Sequence, residues 1–352
     1  MSTRPVPPDM SRIRRVLIVK LSAIGDVVHA LPVSAALGEA YPHLEITWVV
    51  EEPAAPMVLG NPYLKEVIIL PNRMKKRVSK ATIPLFLALR HGLRARKFDI
   101  ALDLQGLSKS ALIAWASGAK YRFGYDWMRE LAPLLVKRIP RHTESVHIVD
   151  QFLDVARFLG APVREVKFPL HIPAEEEAHA RALLQEVGID PGQPYMVINP
   201  SEGGGGYKSW GAERLAALLN YLEKSGERLP TVLVGSEADV PMAEAIASRV
   251  SPPPSSLVGR TNLKQLAAIL RSAALHLCGD TGSAHIAAAL GRPVVSIFGR
   301  TNPARLAPYG QADLALHHRE CCKEVCRRYH ETAPINAKQK CLAPPPRCIE
   351  AV

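Results

Sequence analysis

Three short stretches of this chain combine residue types and spacings that could do chemistry. In Asp280–Gly310, DTGSAHIAAALGRPVVSIFGRTNPARLAPYG, a preceding apolar run at Ala274–Cys278 reads as a buried strand ended by Gly279 and Asp280. Thr281, Gly282 and Ser283 then open an alanine-rich helix, His285–Leu290, and Gly291–Arg292–Pro293 stops it before a second buried strand, Val294–Phe298. A helix start leaves backbone N–H groups without intrahelical partners, and its dipole favours negative charge. The turn is small and hydroxyl-rich, so an anion can come close to the backbone. That reading predicts a phosphate site. Spacing alone somewhat favours ordinary capping by Asp280 and Thr281 over that reading.

The second stretch is Leu21–Asp26, LSAIGD, where the strand Val16–Lys20 runs into a turn and a carboxylate at the start of a helix. It is not the GxGxxG fingerprint, which argues against a dehydrogenase-type dinucleotide site. Asp26 could stabilise its own first turn, or accept a proton from a substrate hydroxyl. His29 lies one turn along on the same face, as a substrate contact or a packing residue. The third stretch, Asn199–Trp210, NPSEGGGGYKSW, places Ser201 and Lys208 around a tetraglycine loop. Lys208 is either a cation for a bound anion or a solvated surface lysine.

The elements that must hold these residues alternate strand and helix, the signal of parallel α/β layers. The first half reads as strands at Val16–Lys20, Ile46–Val50, Val67–Leu70 and Ile100–Leu104, with helices at Val27–Ala40, Thr82–Arg96, Lys109–Ser117 and Val146–Leu159. Phe168–Glu177, FPLHIPAEEE, is the linker candidate, because Pro169 and Pro173 interrupt the pattern before a charged helix begins. The alternation restarts with strands at Tyr195–Asn199 and Thr231–Val234 and helices at Ala212–Lys224, Ala238–Val250 and Leu263–Ser272. This divides the chain into domains 1–170 and 171–352, each Rossmann-like, with ligands expected at the carboxyl ends of the strands. A length of 352 residues suffices for two such cores.

Composition narrows the class. Hydrophobic residues make up 47% of the chain, which fits a globular protein and not a disordered one. No apolar run reaches the length of a membrane span, and the basic N-terminus, MSTRPVPPDMSRIRR, lacks the apolar core of a secretory signal. Both point to a cytoplasmic enzyme. The net charge of +11 comes from 44 Lys and Arg against 33 Asp and Glu. Nine of these cations and no carboxylate lie between Arg73 and Lys97. Arg90–Lys97 reads as a solvated helix face. Arg73, Lys75, Lys76 and Arg77 follow a strand, where a basic loop would attract phosphates or an acidic glycolipid. No nucleic-acid recognition motif or aromatic platform accompanies them, so nucleic acid is not the expected partner.

Cys321, Cys322, Cys326, Cys341 and Cys348 crowd the C-terminal tail, while Cys278 falls in a buried strand. Vicinal cysteines with others beyond could ligate structural zinc or an iron–sulfur cluster. Their gaps match no CxxC pair, and a cytoplasmic setting disfavours disulfides, so the spacing favours a metal-free tail over a metal site.

Three blocks, RVLIVKLSAIGDVVHALP (Arg15–Pro32), DLQGLSKSALIAWASGAKYRFGYD (Asp103–Asp126) and DTGSAHIAAALGRPVVSIFG with TNPARLAPYG, resemble the ADP-heptose:lipopolysaccharide heptosyltransferases of glycosyltransferase family nine, on the heptosyltransferase I-like side. The resemblance implies an α/β fold of two Rossmann-like doubly wound domains facing across a cleft (GT-B), with acceptor on the first and nucleotide sugar on the second. It implies an inverting transfer of heptose from ADP-heptose to the Kdo/heptose inner core of lipopolysaccharide, on the cytoplasmic face of the inner membrane. Asp26 becomes the general base and Lys208 the cation at the leaving diphosphate. Ser201, Glu237, Asp280, Thr281, Gly282, Ser283 and His285 fall to the donor. His29, Arg73, Lys75, Lys76, Arg77, Gln105, Lys109 and Arg129 fall to the acceptor. The expected chemistry needs no metal or other cofactor. The alternatives are a related transferase with another nucleotide sugar or acceptor, and a basic nucleic-acid-binding protein. Oligomeric state is not legible.

Overall fold

Alternating strands and helices build two separate parallel sheets, one in each of two units, Met1–His171 and Ile172–Val352. The computed structural model describes residues 5–71, 82–140, 142, 144–201, 210–299 and 301–317. The first unit holds strands β1 (Arg15–Val19), β2 (Glu45–Glu51), β3 (Glu66–Leu70), β4 (Ile100–Asp103), β5 (Tyr121–Gly124) and β6 (Lys137–Arg138). Helices α1 (Ile24–Ala40), α2 (Thr82–Ala95), α3 (Ser108–Ala116), α4 (Ala132–Leu135) and α5 (Ile148–Phe158) accompany them.

The second unit holds β7 (Met196–Asn199), β8 (Thr231–Leu233), β9 (Ser255–Ser256), β10 (Leu275–Gly279), β11 (Val294–Phe298) and β12 (Ala315–His317). Its helices are α6 (Ala174–Glu186), α7 (Ala212–Ser225), α8 (Val240–Ala247), α9 (Leu263–Ser272), α10 (Gly282–Ala289) and α11 (Pro303–Leu306). The expectation of two Rossmann-like α/β units holds.

The sheet orders are β3-β2-β1-β4-β5-β6 and β12-β11-β10-β7-β8-β9. Counted from its own first strand, the second order read backwards is the first one again. Both are the doubly wound order with its reversal beside the first strand, between β1 and β4 and between β7 and β10. Among the described residues all pairings are parallel, with Val16 opposite Ile100 and Ile18 opposite Trp48 in the first sheet, and Cys278 opposite Asn199 in the second. Because helices cover both faces, the central strands are apolar without alternation: Val16, Leu17, Ile18 and Val19 are all fully buried.

The short strands β5, β6, β9 and β12, of which β6, β9 and β12 are sheet edges, are not among the sequence-predicted elements. Two-residue strands such as Lys137–Arg138 carry no periodicity to read. Helix α1 begins at Ile24, three residues ahead of the predicted start, so Asp26 lies inside its first turn. Among the described residues, no helix is long and apolar enough to cross a membrane.

Candidate active site

In the first unit the chemistry gathers where β1 and β4 end. Lys20 follows β1, and its side chain is only 3% exposed, while Asp26 is 45% exposed. The Lys20 Nζ stands 3.8 Å from Asp26 Oδ2, and 5.2 Å above the centre of the Phe152 ring. A buried ammonium so placed fixes the position of a carboxylate that still reaches solvent. The Ala23 N–H donates weakly to the same oxygen at 3.4 Å.

The turn between β1 and α1 is held from the neighbouring strand. Gln105 Oε1 accepts the N–H groups of Leu21 and Ser22 at 3.1 and 3.2 Å. Gln105 is itself fixed by Asp103, the last residue of β4, whose Oδ1 accepts the Gln105 and Gly106 N–H groups at 3.0 and 2.9 Å. Gly106 has φ +71°, and a Cβ there would stand 2.7 Å from the Trp127 ring, so only glycine fits this turn. Burial pushes the Asp103 carboxyl up to about 6, against the Gly106 N–H, the Ser110 hydroxyl, the Gln105 N–H and the Lys20 ammonium, which pull it down.

The other residues assigned to the acceptor are distributed around this end. Lys109, on α3, pairs with the buried carboxylate of Glu51 at the end of β2 at 2.5 Å. His29 is buried, with its ring edge-on to His147 at 5.9 Å between centroids, which is a packing contact between α1 and the start of α5. Arg129 is exposed, and its N–H donates to Gly106 O at 2.9 Å, tying its loop to the Gln105 turn. Arg73, Lys75, Lys76 and Arg77 lie outside the described residues, as does Lys208.

In the second unit the corresponding place is the end of β7 and β10. Thr281 is the N-cap of α10, so the N–H groups of Gly282 and Ser283 have no intrahelical acceptor. Behind them lies a buried polar cluster centred on Ser283. Its Oγ meets Asn199 Nδ2 at 3.0 Å, His276 Nε2 at 3.0 Å and Thr281 Oγ1 at 2.9 Å. His276 Nδ1 faces Val197 O at 3.1 Å, and burial drives its imidazole down to about 4, so the ring is neutral at pH 7.

Donor inventories then assign every proton. Nδ1–H goes to the carbonyl, leaving Nε2 as acceptor for the Ser283 O–H, while Asn199 and Thr281 both donate to Ser283 Oγ. The side chains at this turn are satisfied by one another, and the backbone N–H groups are what it presents to a ligand. Asp280, with its side chain only 10% exposed, has Oδ1 3.9 Å from His285 Nε2. Ser201 follows directly, its N–H donating to Asn199 Oδ1 at 2.9 Å. Glu237 lies beyond the end of β8, where Ser236 is capped by Asp239 Oδ2 at 2.8 Å.

The sequence matches glycosyltransferase family 9 (heptosyltransferase) over residues 86–334. This chain belongs to that family. It is therefore a glycosyltransferase, and a relative from Haemophilus influenzae, the lipopolysaccharide core heptosyltransferase OpsX, is 30% identical over 84% of this chain and 82% of its own length. Among solved structures, the E. coli heptosyltransferase WaaC with ADP is 28% identical, with a TM-score of 0.67 over 86% of this chain and 92% of that one. A family 9 glycosyltransferase from Veillonella parvula, at 24% identity, shares the fold with a TM-score of 0.76 over 86% of this chain and 85% of its own.

Lys20, Asp103, Asn199 and His276 are site residues that sequence reasoning missed. Asp103 and Asn199 stand in quoted motifs as strand ends, yet nothing in their spacing reveals that Asp103 acts through Gln105 on Leu21, or that Asn199 meets Ser283, across 84 positions in each case. The five tail cysteines from Cys321 to Cys348 lie outside the described residues. Cys278 is buried, its thiol pushed up to about 12 by burial, and is inert packing at neutral pH.

Proposed function

We propose that this glycosyltransferase moves heptose from ADP-heptose to the Kdo/heptose inner core of lipopolysaccharide with inversion at the anomeric carbon. The observation that carries the mechanism is the half-exposed carboxylate of Asp26, set in the first turn of α1 at the end of β1 with the Lys20 ammonium 3.8 Å away. Asp26 takes the proton of an acceptor hydroxyl as its oxygen bonds to the anomeric carbon. The bond from that carbon to the diphosphate oxygen breaks, and ADP leaves from the opposite face. Negative charge on the diphosphate is met by Lys208 and by the N–H groups of Gly282 and Ser283, where the dipole of α10 adds its field. Asp280, Ser201, His285 and Glu237 orient the donor around that turn, and Gln105, Lys109, Arg129 and the Arg73–Arg77 cations serve the acceptor, while His29 packs against His147. No metal or cofactor enters the scheme.

Support for the donor comes from relatives solved with ADP and with ADP-2-deoxy-2-fluoro heptose, the latter 27% identical with a TM-score of 0.64. The acceptor reading rests on curated lipopolysaccharide heptosyltransferases at 28–30% identity. Such an acceptor is lipid-borne, so the protein works from the cytoplasm at the membrane surface. The deciding experiment is ADP release with ADP-heptose and Kdo-lipid A, run beside UDP-sugars and a heptosylated acceptor. Release with ADP-heptose and Kdo-lipid A is expected. Turnover only with another donor or acceptor would move the chain to a related specificity. Salt-dependent DNA or RNA binding without any transfer would overturn the reading.

A further inference from the structure

We propose that Asp103 is a positioning residue for the transfer reaction, holding both the turn that delivers Asp26 and the Lys20 ammonium that faces it. This rests on the reading of Asp26 as the base. Asp103 is fully buried at the end of β4. Its Oδ1 is occupied by the Gln105 and Gly106 N–H groups, and through Gln105 Oε1 it fixes Leu21 and Ser22, the residues that lead into α1. Its Oδ2 makes no hydrogen bond within the described residues.

A purely structural acceptor at this place would not need charge. A neutral amide could receive the same two N–H groups, and burying an ionised carboxylate is costly unless a cation compensates it. The cation beside it is Lys20, itself buried and one residue past Val19, which stands opposite Asp103 in the sheet; its pull on the carboxyl comes after those of the Gly106 N–H, the Ser110 hydroxyl and the Gln105 N–H. Lys20 thus answers to two carboxylates, the buried Asp103 on the neighbouring strand and the half-exposed Asp26. Its 3.8 Å separation from Asp26 is an ion pair but longer than a hydrogen bond, so the lone pairs of Asp26 remain available to a substrate proton. Asp103 holds the ammonium back. Without that charge, Lys20 closes on Asp26 and occupies the oxygen that must accept the proton.

The charged groups around this end of the sheet include Glu51 and Lys109, which pair with each other, and Asp126, Arg129 and Glu130 on the loop after β5, where Glu130 accepts the Ser108 N–H and the Arg129 N–H reaches Gly106 O. Asp103 also titrates near neutrality, since burial has raised it to about 6, so its protonation should appear as an acid limb in the rate profile.

The test is Asp103→Asn, which keeps the shape and the Oδ1 acceptor and removes the charge. With ADP-heptose and Kdo-lipid A, kcat should fall by about tenfold to a hundredfold, the scale set by a misplaced catalytic group. KM for both substrates should stay within about twofold, the acid limb near pH 6 should vanish, and Tm should not drop. Wild-type kcat and pH profile in Asp103→Asn overturn the proposal. A lowered Tm with kcat and KM both impaired would show a structural role only, which also overturns it. The double variant Lys20→Gln with Asp103→Asn removes both buried charges. It should not lose the product of the two single effects, and full additivity counts against a shared ammonium. Asp26→Asn in the same assay separates the two readings. Turnover surviving there sinks the base assignment, whereas an inactive Asp26→Asn beside a fully active Asp103→Asn sinks this proposal alone.

Discussion

Asn199 Nδ2 donates to Ser283 Oγ at 3.0 Å, tying the end of β7 to the first turn of α10 across the point where the second sheet reverses its strand order. Gln105 does the matching work in the first sheet, linking the end of β4 to the turn after β1 with its side-chain carbonyl. In both units a polar side chain crosses the switch point and fixes the loop that carries the chemistry. A ligand-binding backbone can only be preorganised if the side chains behind it have no better partner elsewhere.

Ser283→Ala tests this directly. It strands Asn199 Nδ2, the Thr281 hydroxyl and His276 Nε2 in a buried setting, where one unsatisfied group costs about 1–3 kcal/mol. The urea midpoint should fall, and KM for the nucleotide sugar should rise because Gly282 and Ser283 N–H lose their alignment. Unchanged stability together with unchanged KM would show that the cluster does not organise the turn.

The neutral state of His276 predicts a pH dependence confined to the second sheet. Its folded value of about 4 lies below the unfolded 6.5, so between those values the unfolded state binds more protons. Stability is therefore full above about pH 6.5 and declines as pH falls towards 4, by up to ~3 kcal/mol for a shift of this size. Asp103 acts with the opposite sign, because a carboxyl raised to about 6 favours the folded state more as it protonates. Hydrogen exchange, corrected for intrinsic rates, should show β7 and β10 amides losing protection between pH 6.5 and 4 while β1 and β4 do not. Equal loss in both sheets would refute the assignment.

These relationships separate what the sequence makes legible from what it hides. The run Val16–Lys20, the apolar stretch before Asp280 and the proline-broken linker are visible because buried parallel strands and breakers leave local signatures. The site's outer residues were legible as motif members: Asp26 in its first turn, and Thr281–Ser283 at a helix start. The residues behind them were not. Lys20 reads as the polar end of a strand and His276 as an odd residue in an apolar one. Their roles come from contacts with Asp26, Val197 and Ser283 that only the folded sheet creates. Starting α1 at Val27 missed its first turn for a similar reason, since Ala23 offers no side-chain cap and the helix start depends on the backbone turn that Gln105 holds.

Asp26→Asn should lower kcat by about a hundredfold or more, the usual contribution of a positioned base. Because Asp26 belongs to the first unit and the donor turn to the second, ADP affinity by calorimetry should be unchanged. A variant with near-normal turnover removes Asp26 as the base. One that loses ADP binding as well would instead mark Asp26 as part of the donor site.

Transfer should persist in excess EDTA, within about twofold of the untreated rate, because the scheme stabilises the diphosphate with Lys208 and the N–H groups at the start of α10. These are charges and dipoles supplied by the chain itself, and α10 contributes them without reorganisation since its turn is locked from behind by Ser283. Lys208→Ala should then cost about a hundredfold to a thousandfold in kcat, as loss of a preorganised donor does at a developing anion. Added Mg²⁺ should not recover that loss. If EDTA abolishes transfer and Mg²⁺ restores it, or if Mg²⁺ rescues Lys208→Ala, the leaving group is handled by a metal and the role given to α10 falls.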